Sequence, residues 1–212
     1  MKNNDYPEDF IFEMHPIVKE LIQIGFNSDD IMELKKYNYK AAIPILLKWL
    51  PRVKNRELRH FIIRSLAVSW AKPIAAKPLI EEFKKEDPLD KKNRLWEIGN
   101  SLEVVVDDSV YDDIVKLVTD KRYGDGREML AMAMGKMKNP KAVDVLIGLL
   151  DDNDVAGHAI IGLGRLKNEK ALPHLNKFIN HPKTWWRNEA KKAIAKIEKA
   201  KEKQAQKSMK KK

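Results

Sequence analysis

The chain has no cysteine among its 212 residues. Disulfide bridges, thiolate nucleophiles and cysteine-based zinc sites are thereby excluded, and its stability must come from packing. Long apolar runs are equally scarce. The longest, Ala41 to Leu50, is ten residues long and already contains Lys48, about half of what a bilayer crossing needs. The first residues, MKNNDYPED, hold no apolar core, so no secretory signal is expected, no membrane partner, and a cytoplasmic location. Glycine and proline number only 9 and 10, too few for a low-complexity chain.

Charge, by contrast, is plentiful, at 34% of residues and a net +10. It is unevenly placed. Lys191 to Lys212 hold ten lysines against two glutamates, and the 190 residues before them carry a net of only +2. The basicity therefore belongs to the tail, and a run of this kind reads first as a solvated end. Within the body, Lys48 to Lys77 hold eight basic residues against Glu57. Glu97 to Asp113 hold six acids and no base, and residues 1–33 hold eight acids against two lysines. Blocks of alternating sign disfavour a uniformly anionic polymer and suit a protein partner with complementary patches.

Internal repetition organises the rest. AIPIL at Ala42, AKPLI at Ala76, YDDIV at Tyr111, AVDVL at Ala142 and ALPHL at Ala171 place Pro44, Pro78, Asp113, Asp144 and Pro173 at intervals of 34, 35, 31 and 29. Proline and aspartate both suit the first helical turn, where an N–H has no partner and the dipole is positive. About twenty residues after each comes a second segment: LRHFIIRSLAV, RLWEIGNSLEV, GREMLAMAMGKM, VAGHAIIGLGRL and WRNEAKKAIAKI. Leu130, Met134 and Met137 recur at helical spacing, and Ala131, Ala133, Gly135, Ala159, Gly162 and Gly164 allow close helix approach. Asn139-Pro140, Asp151–Asp154 and Tyr123–Gly126 are turn signals between segments. Two short helices per repeat cannot bury their apolar stripes alone, but stacked pairs can. The expected fold is all-α, an α-solenoid: a right-handed superhelix of about five helix pairs over residues 38–199. Residues 1–37 form an N-terminal helical cap, with one helix from Pro16 to Gly25 and a second opened by Ser28 and reaching Tyr37. Residues 200–212 form a basic, disordered or frayed tail.

The second segments carry Arg59, Arg127 and Arg187, each followed seven residues on by Leu66, Met134 and Ile194. This pattern resembles HEAT-like repeats, and Gly126 to Leu150 is similar to the short-period branch that includes the phycobilin lyase subunits. The resemblance spans Tyr39 to Lys199 and departs from the pattern at Leu95 and Ala156, which stand where arginine is expected. It implies a repeat fold presenting binding surfaces.

Chemistry-bearing motifs are scarce. None of His15, His60, His158, His174 and His181 forms an H-E-x-x-H pair. No serine sits in a G-x-S-x-G elbow, and Gly157, Gly162 and Gly164 follow no strand, so they form no dinucleotide fingerprint. Trp185-Trp186 resembles the tryptophan site of HEAT-like alkylpurine DNA glycosylases, yet Ala190 stands where an aspartate would be needed. Trp186 instead occupies the apolar position of Leu58 and Val155 and is expected in the core. The chain is therefore expected to be non-catalytic, monomeric and free of cofactors and metals. Its candidate binding residues are Arg59, Phe61, Arg64, Trp96, Asn100, Met129, Met132 and Ile161, lining the concave face of the second helices, where methionine gives an adaptable surface. A protein partner is the leading expectation. Nucleic acid, bound by the 48–77 stretch and the lysine tail, is the alternative, and a HEAT-like glycosylase or lyase is third.

Overall fold

First-turn residues act as expected. In the computed structural model, which describes residues 6–89 and 94–209, Pro44 and Pro173 open helices α2 (Ile43–Trp49) and α10 (Leu172–Leu175). Asp113 and Asp144 lie in the first turns of α6 (Tyr111–Thr119) and α8 (Ala142–Gly148), and Pro78 near the start of α4 (Ala76–Lys85). The second segments form α3 (Arg56–Ser65), α5 (Arg94–Val105), α7 (Glu128–Met134), α9 (Ala156–Leu166) and α11 (Thr184–Met209). Together with α1 (Glu8–Gln23) these make an all-helical fold, with no strand among the described residues.

Packing follows chain order. Helix α3 lies against α5, α5 against α7, α7 against α9, and α9 against α11, while α4, α6, α8 and α10 each pack on the helix that follows them. Small residues set the spacing. A Cβ on Gly135 would sit 2.6 Å from the Gly162 Cα, one on Gly162 2.9 Å from the Ala131 carbonyl oxygen, and one on Gly164 2.8 Å from the Ala193 Cβ. Helices α7, α9 and α11 therefore meet nearly backbone to backbone, and Leu130, Met134, Ile160 and Leu163 are buried between them.

The buried Arg127 closes the middle of the chain. Its Nε donates to the Gly124 carbonyl at 2.8 Å, and its Nη1 to the Val118 carbonyl at 3.1 Å and to Asp152 at 2.9 Å. Its Nη2 donates to Asp154 at 3.3 Å. One guanidinium thus joins the end of α6, the turn before α7 and the loop before α9. Arg187 makes a related contact, donating to the His181 carbonyl at 2.8 Å.

The amino-terminal expectation needs correcting. Helix α1 starts at Glu8, not Pro16, and Pro16 lies inside it. Phe10, Met14, Ile17, Val18 and Leu21 form one buried stripe, and burying it outweighs the interior proline's cost of about 3 kcal/mol. The second expected helix is a 3-10 turn, Ile31–Lys36, capped by Asp30, which accepts from the Met32 N–H at 2.8 Å. Ser28 instead bonds to the backbone of Asp30. Gly25 has φ +94°, the left-handed conformation that glycine best supplies after a helix. Of the tail expected to be disordered or frayed, residues 200–209 continue α11 as helix, with their side chains almost all solvated. Residues 1–5 of the expected cap and 210–212 of the expected tail lie outside the described residues.

Two measurements check this packing. Gly162→Leu should cost about 1–3 kcal/mol by overpacking; thermal unfolding indistinguishable from wild type would refute the close contact. Deleting residues after Lys199 should leave the melting temperature nearly unchanged, because Ile197 is the last buried side chain of α11. A large loss would mean that the last turns dock.

Candidate partner-binding face

Eight residues were expected to line one open face, and the structure divides them. Phe61 is only 2% exposed and Met129 6%, so both leave the accessible set. Phe61 is covered by α1 and the Ile31–Lys36 turn, which pack on α3. Met129 is pressed against α5, where a Cβ on Gly99 would be 3.1 Å from its own Cβ. Arg59 is half-buried, with its Nη1 3.9 Å from the buried Glu82 of α4, so it is only partly accessible. Arg64, Trp96 and Asn100 are exposed, and Met132 and Ile161 are half-buried.

Charge on the second helices is mostly cancelled in place. Glu97 accepts from Arg64 and lies 2.8 Å from the His60 Nδ1. The other nitrogen of buried His60 is 3.1 Å from Glu86, which also accepts from Arg56. Burial alone would raise Glu97, but the hydrogen bonds from His60 and Arg64 and their charges outweigh it and hold its pKa at about 2. Glu103 is bound by Arg165 at 2.6 Å and Lys136 at 2.8 Å. Those two cations hold it below its ordinary value against the opposing effect of burial. Glu189 pairs with Lys192 at 2.7 Å.

Glu128, at the start of α7, breaks the pattern. Its neighbours are not cations. Its Oε1 is 3.6 Å from the His158 Nδ1, and the Trp96 indole N–H lies close enough to favour its charged form. Burial raises its pKa first, and the charges of Asp125 and Asp154 add to that, against the lowering effect of Trp96. Burial also lowers His158 from its ordinary value, so at neutral pH the imidazole is uncharged and offers no compensation.

Two indoles flank this pair. Trp96 reaches it from α5 and is 37% exposed. Trp185 reaches it from α11 and is 45% exposed, with its ring 5.0 Å from that of His158, edge to face. Gly157 makes room, since a Cβ there would fall 2.2 Å from Cζ3 of Trp185 and 2.8 Å from Nε1 of Trp186. Trp186 itself is buried. The four residues Trp96, Glu128, His158 and Trp185 thus form one strip across α5, α7, α9 and α11. Glu128, His158 and Trp185 were not among the eight expected residues. Their signal was present in the sequence: Trp185 precedes a core tryptophan by one position, about 100° around the helix, so it must point elsewhere.

A groove lies away from the strip. It encloses about 660 Å³ between α1 and the α2–α3 connection and is lined by Ile11, Phe12, His15, Pro16, Trp49 and Arg52 among others. Among the described residues no three His, Asp or Glu side chains converge as metal ligands, and no helix is long and apolar enough to cross a membrane. Compared with protein-family models, with curated proteins and with solved structures, the chain matches none.

The depressed pKa of Glu97 has a stability consequence. Its contribution is fully present above the ordinary carboxylate value of 4.5 and is lost as pH falls towards 2. Glu97→Gln should cost about 1–3 kcal/mol at neutral pH and flatten the acid limb of the stability profile. Denaturant unfolding at pH 7, 4.5 and 3 checks this; an unchanged acid limb would show that Glu97 is not held ionised by the fold.

Proposed function

We propose that the chain is a HEAT-like α-solenoid that acts without catalysis, as a monomeric scaffold holding a protein partner along the face of its second helices. The chain-order packing of α3, α5, α7, α9 and α11 supports the repeat reading, since each helix leans on its sequence neighbours. The observation that carries the function is the pair of tryptophans, each more than a third exposed, on that one face. Large rigid aromatics at the centre of a surface are the side chains that most often supply binding energy between proteins. Met132, Ile161 and Asn100 extend the same surface with adaptable and polar contacts.

A protein partner fits better than nucleic acid. Four cations of the 48–77 basic stretch already face carboxylates: Lys48 with Glu20, Arg56 with Glu86, Arg59 with Glu82 and Arg64 with Glu97. Counterion release from phosphates requires cations that are free to neutralise them.

Affinity capture on the full-length protein tests this in nuclease-treated native lysate. The Trp96→Ala, Trp185→Ala double variant should lose the captured protein while keeping its helicity. Undiminished capture by the double variant would overturn the assignment of this face. In parallel, duplex DNA titrated against full-length protein and residues 1–199 should bind weakly, and only through the tail. Tight binding by the truncated chain at physiological salt would move the function to the basic stretch.

A further inference from the structure

The second helices are consistent in how they treat buried and half-buried acids, and Glu128 is the departure. Glu97, Glu103 and Glu189 each have a lysine or arginine within hydrogen-bond reach. Glu128 has an indole N–H, a neutral imidazole and two further acids nearby. The arginine beside it in sequence, Arg127, is committed to the Gly124 and Val118 carbonyls and to Asp152 and Asp154. A carboxylate kept partly out of water without a counter-charge is costly to the free protein. That cost is relieved by any ligand that brings a positive charge.

The flanking groups restrict which cation fits. Trp96 stands beside Glu128, its ring N–H favouring the charged carboxylate, and leaves more than a third of its surface in solvent. Trp185, seated against Gly157, presents a second exposed ring beside His158. A planar guanidinium can stack on an indole face while its N–H groups bond a carboxylate, which a hydrated metal ion cannot do. The uncharged imidazole neither repels a cation nor competes for the carboxylate as an ion.

We infer that Glu128 and Trp96 together receive an arginine side chain from the protein partner, with Trp185 covering an adjoining apolar residue of the same segment. This rests on the proposed partner-binding face. It adds the chemistry of the partner: a basic segment carrying an arginine next to an apolar residue. Long-range charge does not supply such binding, because the chain's own net charge of +10 repels polycations.

The test uses full-length protein and three synthetic peptides of sequence Gly-Leu-X-Leu-Gly, where X is arginine, lysine or citrulline. Citrulline keeps the shape of arginine and removes its charge. Indole N–H resonances of Trp96 and Trp185, assigned with Trp96→Phe and Trp185→Phe, report binding. The arginine peptide should shift both saturably, the lysine peptide should bind more weakly and the citrulline peptide weakest. Glu128→Gln should weaken the arginine peptide by at least about tenfold, the size of one charge-assisted contact. It should leave thermal unfolding unchanged or raise the midpoint, since an uncompensated charge is removed. Equal binding of arginine and citrulline peptides, or undiminished binding by Glu128→Gln, would overturn the inference. Lysate capture separates this failure from a failure of the face itself. Capture lost with the double tryptophan variant but kept with Glu128→Gln leaves the face standing and removes the arginine. Capture kept by both variants removes the face as well.

Discussion

The buried guanidinium of Arg127 is the interaction on which the middle of the molecule depends. A fully desolvated charge is tolerated only when its donors are occupied, and here two carbonyls and two aspartates occupy them. The bond pattern joins three separate pieces of chain, so α6, the turn at 121–127 and the loop at 151–154 cannot move independently. Replacing this residue by an apolar one would free two aspartates and two carbonyls at the entrances of both α7 and α9.

The same constraint shapes the open face. Fixing residue 127 fixes the first turn of α7, and Glu128 is its next residue. Fixing the 151–154 loop fixes the entrance of α9, where Gly157 and His158 follow. The uncompensated carboxylate and its imidazole neighbour are therefore placed by a structural ion pair beneath them. Trp96 and Trp185 arrive from α5 and α11, which are held in turn by close contacts at Gly99 and at Gly164. Exposed side chains held from beneath by tightly packed helices are what the proposed binding face requires.

Much of the fold was legible in the sequence because its signals are local. A proline or aspartate at a helix start acts within one turn, and Leu58, Val155 and Trp186, expected in the core from their shared register, are all buried. What was not legible depended on neighbours in space. Phe61 reads as surface until α1 lies over it, and Met129 reads as surface until Gly99 brings α5 close. Pro16 reads as a helix start because proline lacks an N–H, yet the stripe from Phe10 to Leu21 recruits the residues before it. The four-residue strip was hidden for the same reason. Its residues come from four helices, and only contacts between those helices bring Glu128 to His158 and Trp96.

The last helix carries a different consequence. Beyond Ile197, α11 runs a further dozen residues, roughly 18 Å at 1.5 Å per residue, with solvent on nearly every side. Lys199, Lys203 and Lys207 stack one turn apart on it, and like charges at that spacing repel. An ion pair between Lys201 and Glu169 ties its base to the preceding helices. The projection therefore carries its lysines clear of the folded body, so that the densest positive charge of the chain sits farthest from the acidic blocks that would neutralise it.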